Sequence, residues 1–286
     1  MYFPYLRGKQ YELLALKELS QLIGSQGKVL PIIEPVRAPD GGLDRCIEAL
    51  SAAHVGFVVV VNPTVGELRG NLVSDEIANY VNARDAAGDW KLGLLIDETT
   101  NMSGLLSDYR TRFGTYHQLA LIHKGLVTEL AKLPAATADL NRQFDVIDEG
   151  LGVRRHYRDL ISTSKGVTLR DGFPGEERNS DYLAKEEAVF SEEHLYYSEE
   201  GWYGFGDYLT IGQKYSDGGF TPRAVVIHWT YEPRPGTPIM IRHFTSESNG
   251  GTSNVGGKFL EAAQKLVVFL NQRDSILRLP RCFAPT

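Results

Sequence analysis

Six apolar stretches of this chain end in polar or ionisable side chains. Reading only the last residues of each gives Glu34; Asn62; Asp97 and Glu98; His123 and Lys124; Asp148 and Glu149; Arg170 and Asp171. Burying so much charge at one end of a sheet is costly unless the groups pair or hold a ligand. The carboxylates Glu34, Asp97, Asp148 and Asp171 are hard oxygen donors suited to Mg²⁺, Mn²⁺ or Ca²⁺, with Glu34, Asp97 and Asp148 the expected metal set. Lys124 and Arg170 suit an anion such as a phosphate. Carboxylates, a divalent cation and basic residues together fit phosphodiester or nucleotide hydrolysis. Without a metal, one carboxylate serves as general acid or base while Lys124 and Arg170 stabilise negative charge. Lys124, if desolvated, is also a Schiff-base candidate. The alternative is structural: strands end in polar residues because turns begin there, and acids and bases can simply pair.

Further basic residues extend the anion-binding set. Arg7 and Lys9 follow the first apolar stretch, and Lys258 opens the last helix behind a Gly/Ser/Asn loop, where a helix N-terminus favours phosphate. His228, between Val-Val-Ile and Trp-Thr-Tyr, is expected to line the same mouth and joins the catalytic candidates; His123 reads as a core residue. There is no His-Glu-x-x-His, no P-loop and no dinucleotide fingerprint after a strand.

The elements that would carry these residues alternate. Strands are expected at 2–6, 29–35, 55–62, 91–98, 118–124, 144–149 and 166–171, with helices at 11–23, 44–53, 74–87, 103–113, 126–133 and 153–161 between them. Near-continuous apolar strands separated by helices imply right-handed βαβ units and a parallel sheet covered on both faces. After residue 173 the rhythm changes. The segment 174–206 reads as an insertion, with a helix at 181–193 and an aromatic, glycine-rich loop at 196–208. Strands are expected at 209–212 and 224–231, a hairpin return arm at 239–244 and a closing helix at 257–270. The expected fold is one α/β domain over 1–286: a TIM-like (β/α)8 barrel with an insertion and a C-terminal β-hairpin and helix. Strand ends then share one rim, where barrel enzymes keep their sites. Side chains alternate along a strand, so only one of each terminal pair faces the axis; for 97/98 the choice is Asp97.

The 286 residues, 42% of them hydrophobic, suit one such barrel. A net charge of −6 argues against a broad nucleic-acid surface, though not against a local basic groove. Two cysteines, Cys46 and Cys282, make neither a disulfide framework nor a thiolate metal site. No apolar run approaches the roughly 18 residues that span a bilayer, and the first residues carry no secretory pattern. No membrane association and a cytoplasmic location are the expectation.

Tyr2-Phe-Pro-Tyr-Leu-Arg-Gly-Lys-Gln10, Leu30-Pro-Ile-Ile-Glu-Pro35, Leu169-Arg-Asp-Gly-Phe173, Phe205-Gly-Asp-Tyr208 and Ile227-His-Trp-Thr-Tyr231 resemble the bacterial relatives of the phage T4 beta protein, over nearly the whole chain. The resemblance implies a bacterial or prophage protein, a small protein partner encoded nearby and a role in anti-phage defence. It supplies no catalytic residues. The residues themselves point to a hydrolase acting on a phosphate-containing small molecule or a nucleic-acid end. The other class is a non-catalytic barrel that senses a ligand or docks a partner through Trp202 and Tyr203.

Overall fold

The computed structural model describes residues 1–84, 90–127, 130–148, 150, 165–216 and 221–274. Eleven strands occur among them: β1 (Tyr5–Leu6), β2 (Ile32–Ile33), β3 (Phe57–Val60), β4 (Trp90–Ile96), β5 (Gln118–His123), β6 (Asn141–Asp148), β7 (Lys165–Arg170), β8 (Glu187–Ser191), β9 (Gly204–Asp207), β10 (Val226–Tyr231) and β11 (Ile239–Thr245). The helices are α1 (Gln10–Gln26), α2 (Gly41–Ala52), α3 (Asp75–Asn82), α4 (Met102–Phe113), α5 (Leu133–Ala136), α6 (Glu193–Tyr196) and α7 (Val255–Asp274). The chain divides into two compact units, Met1–Asp171 with Tyr197–Tyr208, and Gly172–Tyr196 with Leu209–Thr286.

The first unit is the expected barrel. Its eight strands are all parallel, in the order β1-β2-β3-β4-β5-β6-β7-β9. The ring is drawn nearly shut by a parallel bridge between Tyr2 and Phe205. Phe3 N donates to Phe205 O at 2.8 Å, and Phe205 N donates to Met1 O at 3.0 Å. The eighth strand is Gly-Phe-Gly-Asp, which reads as a loop because glycine is a poor strand former. Packing explains the glycines. A Cβ on Gly206 would lie 2.2 Å from the Phe3 backbone oxygen, and one on Gly204 would lie 2.5 Å from the Phe3 ring. Only a strand without side chains there lets β1 come this close.

The helices start where their sequence caps them. The Asp40 carboxylate accepts from Gly42 N and Leu43 N, which begins α2 three residues ahead of the expected 44. Ser74 caps α3 through Ile77 N. The expected helix at 126–133 is shorter: a 3₁₀ turn over Leu130–Lys132 leads into α5, with Pro134 in its first turn. The expected helix at 153–161 lies outside the described residues.

The second unit holds a three-stranded antiparallel sheet in the order β10-β11-β8, together with α7. The expected hairpin and closing helix are there. The helix expected at 181–193 is not. Residues Asn179–Leu183 form a 3₁₀ turn that buries Tyr182, and Glu187–Ser191 pairs with β11 as a strand. The apolar Ala188, Val189 and Phe190 match that pairing better than a helical stripe. The strand expected at 209–212 is a 3₁₀ turn, Leu209–Ile211, entered with Leu209 at φ 55°. None of the helices among the described residues is long and apolar enough to cross a membrane.

A candidate active site at the barrel mouth

The side chains that fill the barrel fix its register. Phe3 and Tyr5, Leu30 and Ile32, Val58 and Val60, Leu95, Ala120 and Ile122, Phe144 and Val146, Val167 and Leu169 form one buried cluster with Tyr208. Because side chains alternate along a strand, the next residue of the same parity on each strand is Arg7, Glu34, Asn62, Asp97, Lys124, Asp148 and Asp171. With Tyr208 they make one polar residue per strand, at the C-terminal end where barrel chemistry sits. The same count turns Glu98, His123 and Arg170 away from the axis; Glu149 lies outside the described residues.

Two hydrogen-bonded groups form within this ring. In the first, Glu34 Oε2 accepts from the Arg7 guanidinium and from Tyr5 Oη at 2.7 Å. Glu34 Oε1 accepts from Thr64 N at 3.0 Å and Thr64 Oγ1 at 3.3 Å. Arg7 and Glu34 are buried, with side-chain exposures of 6% and 0%. Gly8, at φ 63°, turns the chain out of β1 into α1 directly after Arg7. Both oxygens of Glu34 are occupied, so it acts here as the counter-ion of Arg7.

In the second group, Lys124 Nζ donates to Tyr208 Oη, which donates to Asp148 Oδ2 at 2.7 Å. Lys124 Nζ lies 3.9 Å from the same carboxylate oxygen. It also sits between two aromatic faces, 4.2 Å from the ring centroids of both Tyr5 and Tyr208. The Arg7 guanidinium lies 5.2 Å and 5.7 Å from the same two rings, so the tyrosines separate the two cations.

The electrostatics follow from burial. Desolvation, helped by the charge of Arg7, pulls the Lys124 ammonium down to about 7 against the opposing pull of Asp148, Glu34 and Asp171. Desolvation also pushes the phenols of Tyr5 and Tyr208 well above their usual value, with Glu34 and Asp148 adding to it. Both hydroxyls therefore stay protonated at neutral pH. Burial alone would lower the Arg7 guanidinium, but Glu34, Tyr5 and Tyr208 raise it overall. The site thus holds one permanently charged base and one amine poised between its two forms.

The other expected site residues are placed differently. Asn62 is spent on the sheet: Pro63, next in the chain, has no N–H to offer β4, and the Asn62 amide bonds both Leu95 O at 2.9 Å and Leu95 N at 2.8 Å. Asp97 has the inward parity expected, but its Oδ1 accepts from Thr99 N, Thr99 Oγ1 and Thr100 Oγ1 at 2.8–3.0 Å, closing its own turn. Those bonds hold its carboxyl below the usual range despite partial burial. Asp171 and Arg170 are exposed, and Asp171 contributes through its charge on Lys124. Lys9 is exposed at the start of α1. Lys258 belongs to the second unit, where it is buried and donates to Gly251 O, closing the preceding loop.

His228 is likewise a residue of the second unit, not of the barrel. It faces His243 across the β10–β11 pair, Nδ1 to Nδ1 at 2.7 Å, between the rings of Phe173 and Tyr182. Burial and the neighbouring His243 push its imidazole down to about 4, so it is neutral at physiological pH. Its ring packs against Phe173, Tyr182 and His243 within that unit.

The expected metal set does not assemble. Among the described residues no three His, Cys, Asp or Glu side chains come together as a ligand group. Glu34 is saturated by Arg7, Tyr5 and Thr64, and Asp97 is held by its own turn. Trp202 is buried, whereas Tyr203 packs on Phe3 and Phe144 and stays 37% exposed.

Tyr5 and Tyr208 were not among the sequence candidates. Tyr5 had a signal, since it lies two residues before Arg7 on one strand and so shares its face. Tyr208 had none until Gly204–Asp207 was seen as a strand. Comparison of the chain with family models, with curated proteins and with solved structures gave no match.

Proposed function

We propose that the barrel is an acid–base enzyme that cleaves a phosphate ester, with the reacting centre at Lys124, Tyr208 and Asp148. The observation that carries this reading is the hydrogen-bonded line from the Lys124 amine through the Tyr208 hydroxyl to Asp148, beside a buried, always-charged Arg7. A phosphoryl group needs negative charge stabilised and one proton moved. The ammonium form of Lys124 and the Arg7 guanidinium supply the charge. Asp148, acting through Tyr208, takes the proton of the attacking water and returns it to the leaving oxygen. Arg170 and Lys9, both exposed, add positive charge for an approaching anion. The resemblance to the beta-protein family supports placing this activity in anti-phage defence, with a small partner protein encoded nearby.

The test is phosphate or nitrophenol release from p-nitrophenyl phosphate, bis(p-nitrophenyl) phosphate and a set of 3′- and 5′-nucleotides, with and without Mg²⁺ or Mn²⁺. Turnover by the native protein is expected to fall at least about 100-fold in kcat/KM in Tyr208→Phe and Asp148→Asn. Failure of the native protein to turn over any of these substrates overturns hydrolysis.

A further inference from the structure

The same mouth holds a second kind of reactivity. An amine forms an imine with an aldehyde or ketone only in its free-base form, with a neighbouring group to accept and return the proton. Both conditions are geometric at Lys124. Its Nζ is enclosed by the faces of Tyr5 and Tyr208 at 4.2 Å, which shields it from water. Its hydrogen-bond acceptor, Tyr208 Oη, is itself tied to the Asp148 carboxylate at 2.7 Å. The side chain is 14% exposed, so it is reached from the mouth.

We propose that Lys124 captures a carbonyl compound as a Schiff base, and that the compound carries an anionic group facing Arg7. In the first step the Nζ lone pair attacks the carbonyl carbon. The nitrogen–carbon bond forms, and the carbonyl oxygen becomes the hydroxyl of a carbinolamine. The proton lost by nitrogen passes through Tyr208 Oη to Asp148 and from there to that oxygen. In the second step the remaining nitrogen proton passes the same way to the hydroxyl, the carbon–oxygen bond breaks, and water leaves. The sum is amine plus carbonyl giving imine plus water, with no oxidant or reductant. The depressed basicity of Lys124, caused first by desolvation, leaves a large free-amine fraction at neutral pH. Surface lysines, with ordinary values near 10.4, offer about one free amine in a thousand at pH 7.4. This inference shares the site with the hydrolytic reading but not its chemistry, since hydrolysis uses the ammonium and capture uses the free amine.

The full chain is incubated at pH 7.4 with glyoxylate or with pyridoxal 5′-phosphate, reduced with sodium cyanoborohydride, and mapped by peptide mass spectrometry. Lys124 is expected to be labelled at least tenfold faster than the average surface lysine. Tyr208→Phe and Asp148→Asn should slow labelling of Lys124 at least fivefold while leaving the surface lysines unchanged. Lys124→Arg should abolish the fast phase. Labelling of Lys124 at or below the surface rate in folded native protein, verified by circular dichroism, overturns the proposal. Phosphate release is followed in parallel without reductant. Release without selective labelling overturns imine capture alone, and selective labelling without release overturns hydrolysis alone.

Discussion

Lys124 and Tyr208, 84 residues apart in the chain, share a hydrogen bond at the mouth of the barrel, and the Tyr208 hydroxyl hands it on to Asp148. The pair matters because Tyr208 stands between the amine and the carboxylate. If Tyr208 is the link, its loss should let the amine and the carboxylate, 3.9 Å apart, pair directly. Tyr208→Phe is expected to raise the pH midpoint of Lys124-dependent activity or labelling relative to the native profile, because Asp148, freed from the phenol, would turn to the ammonium. An unchanged midpoint would mean that Tyr208 only packs there.

Lys124 should cost the fold stability. Its folded value lies near 7 and its unfolded value near 10.5, so between these pH values the unfolded chain binds more protons and stability rises with pH. Below pH 7 both states are protonated and the full cost of the buried charge remains. Lys124→Met is expected to be stabilised relative to the native chain, and more so at pH 6 than at pH 9. The difference between the two pH values is about 2–3 kcal/mol. Urea unfolding at both pH values measures it.

The Arg7–Glu34 pair should behave as a buried ion pair that is costly to halve. Arg7→Met leaves the Glu34 carboxylate buried without its counter-ion and is expected to cost about 3–5 kcal/mol. The double variant Arg7→Met with Glu34→Gln should cost less than Arg7→Met alone, since no unpaired charge remains. A double variant as unstable as the sum of the two singles would show that the side chains act separately.

The seam between β1 and β9 predicts a steric effect. Gly206→Ala brings a methyl group within 2.2 Å of the Phe3 oxygen and should cost about 1–3 kcal/mol by forcing the strands apart. Gly201→Ala is the wrong control, because its φ of 82° adds backbone strain. Gly250→Ala is a fair one, as nothing lies within 4 Å of the added carbon.

In the second unit, His228 titrates near 4 when folded and near 6.5 when unfolded. Its contribution is intact above pH 6.5 and is lost as the pH falls toward 4, because the unfolded chain takes up the proton first. After discounting for its partial exposure the loss is about 1–2 kcal/mol. His228→Phe should flatten the thermal-melting profile over that pH range.

Most of the barrel could be read from the chain, since its strands are buried on both faces and show as unbroken apolar runs such as Val58–Val61. The eighth strand could not, because close packing against Phe3 demands glycine where propensity asks for β-branched residues. The ring of strand-end side chains could be listed but not oriented until Tyr5, Ile32 and Val146 showed which parity points inward. Asp97 illustrates the limit: its parity was right, yet threonines two and three residues later capture its carboxylate. Spacing along one strand cannot show that. His228 lies on a strand of the second sheet, whose local sequence pattern is the same as that of a barrel strand.

The close approach of Phe3 to Gly206 has a consequence for how the protein is made. The contact joins residues some two hundred positions apart, and the same step brings Tyr208 to Lys124 and Asp148. On the ribosome, β1 must wait for β9 to be synthesised before it finds its second neighbour. Contacts of such long sequence separation form late because the loop they close is entropically expensive. The ring of polar side chains at the mouth is therefore completed by the last ring closure, and a nascent chain does not carry it assembled until that strand has docked.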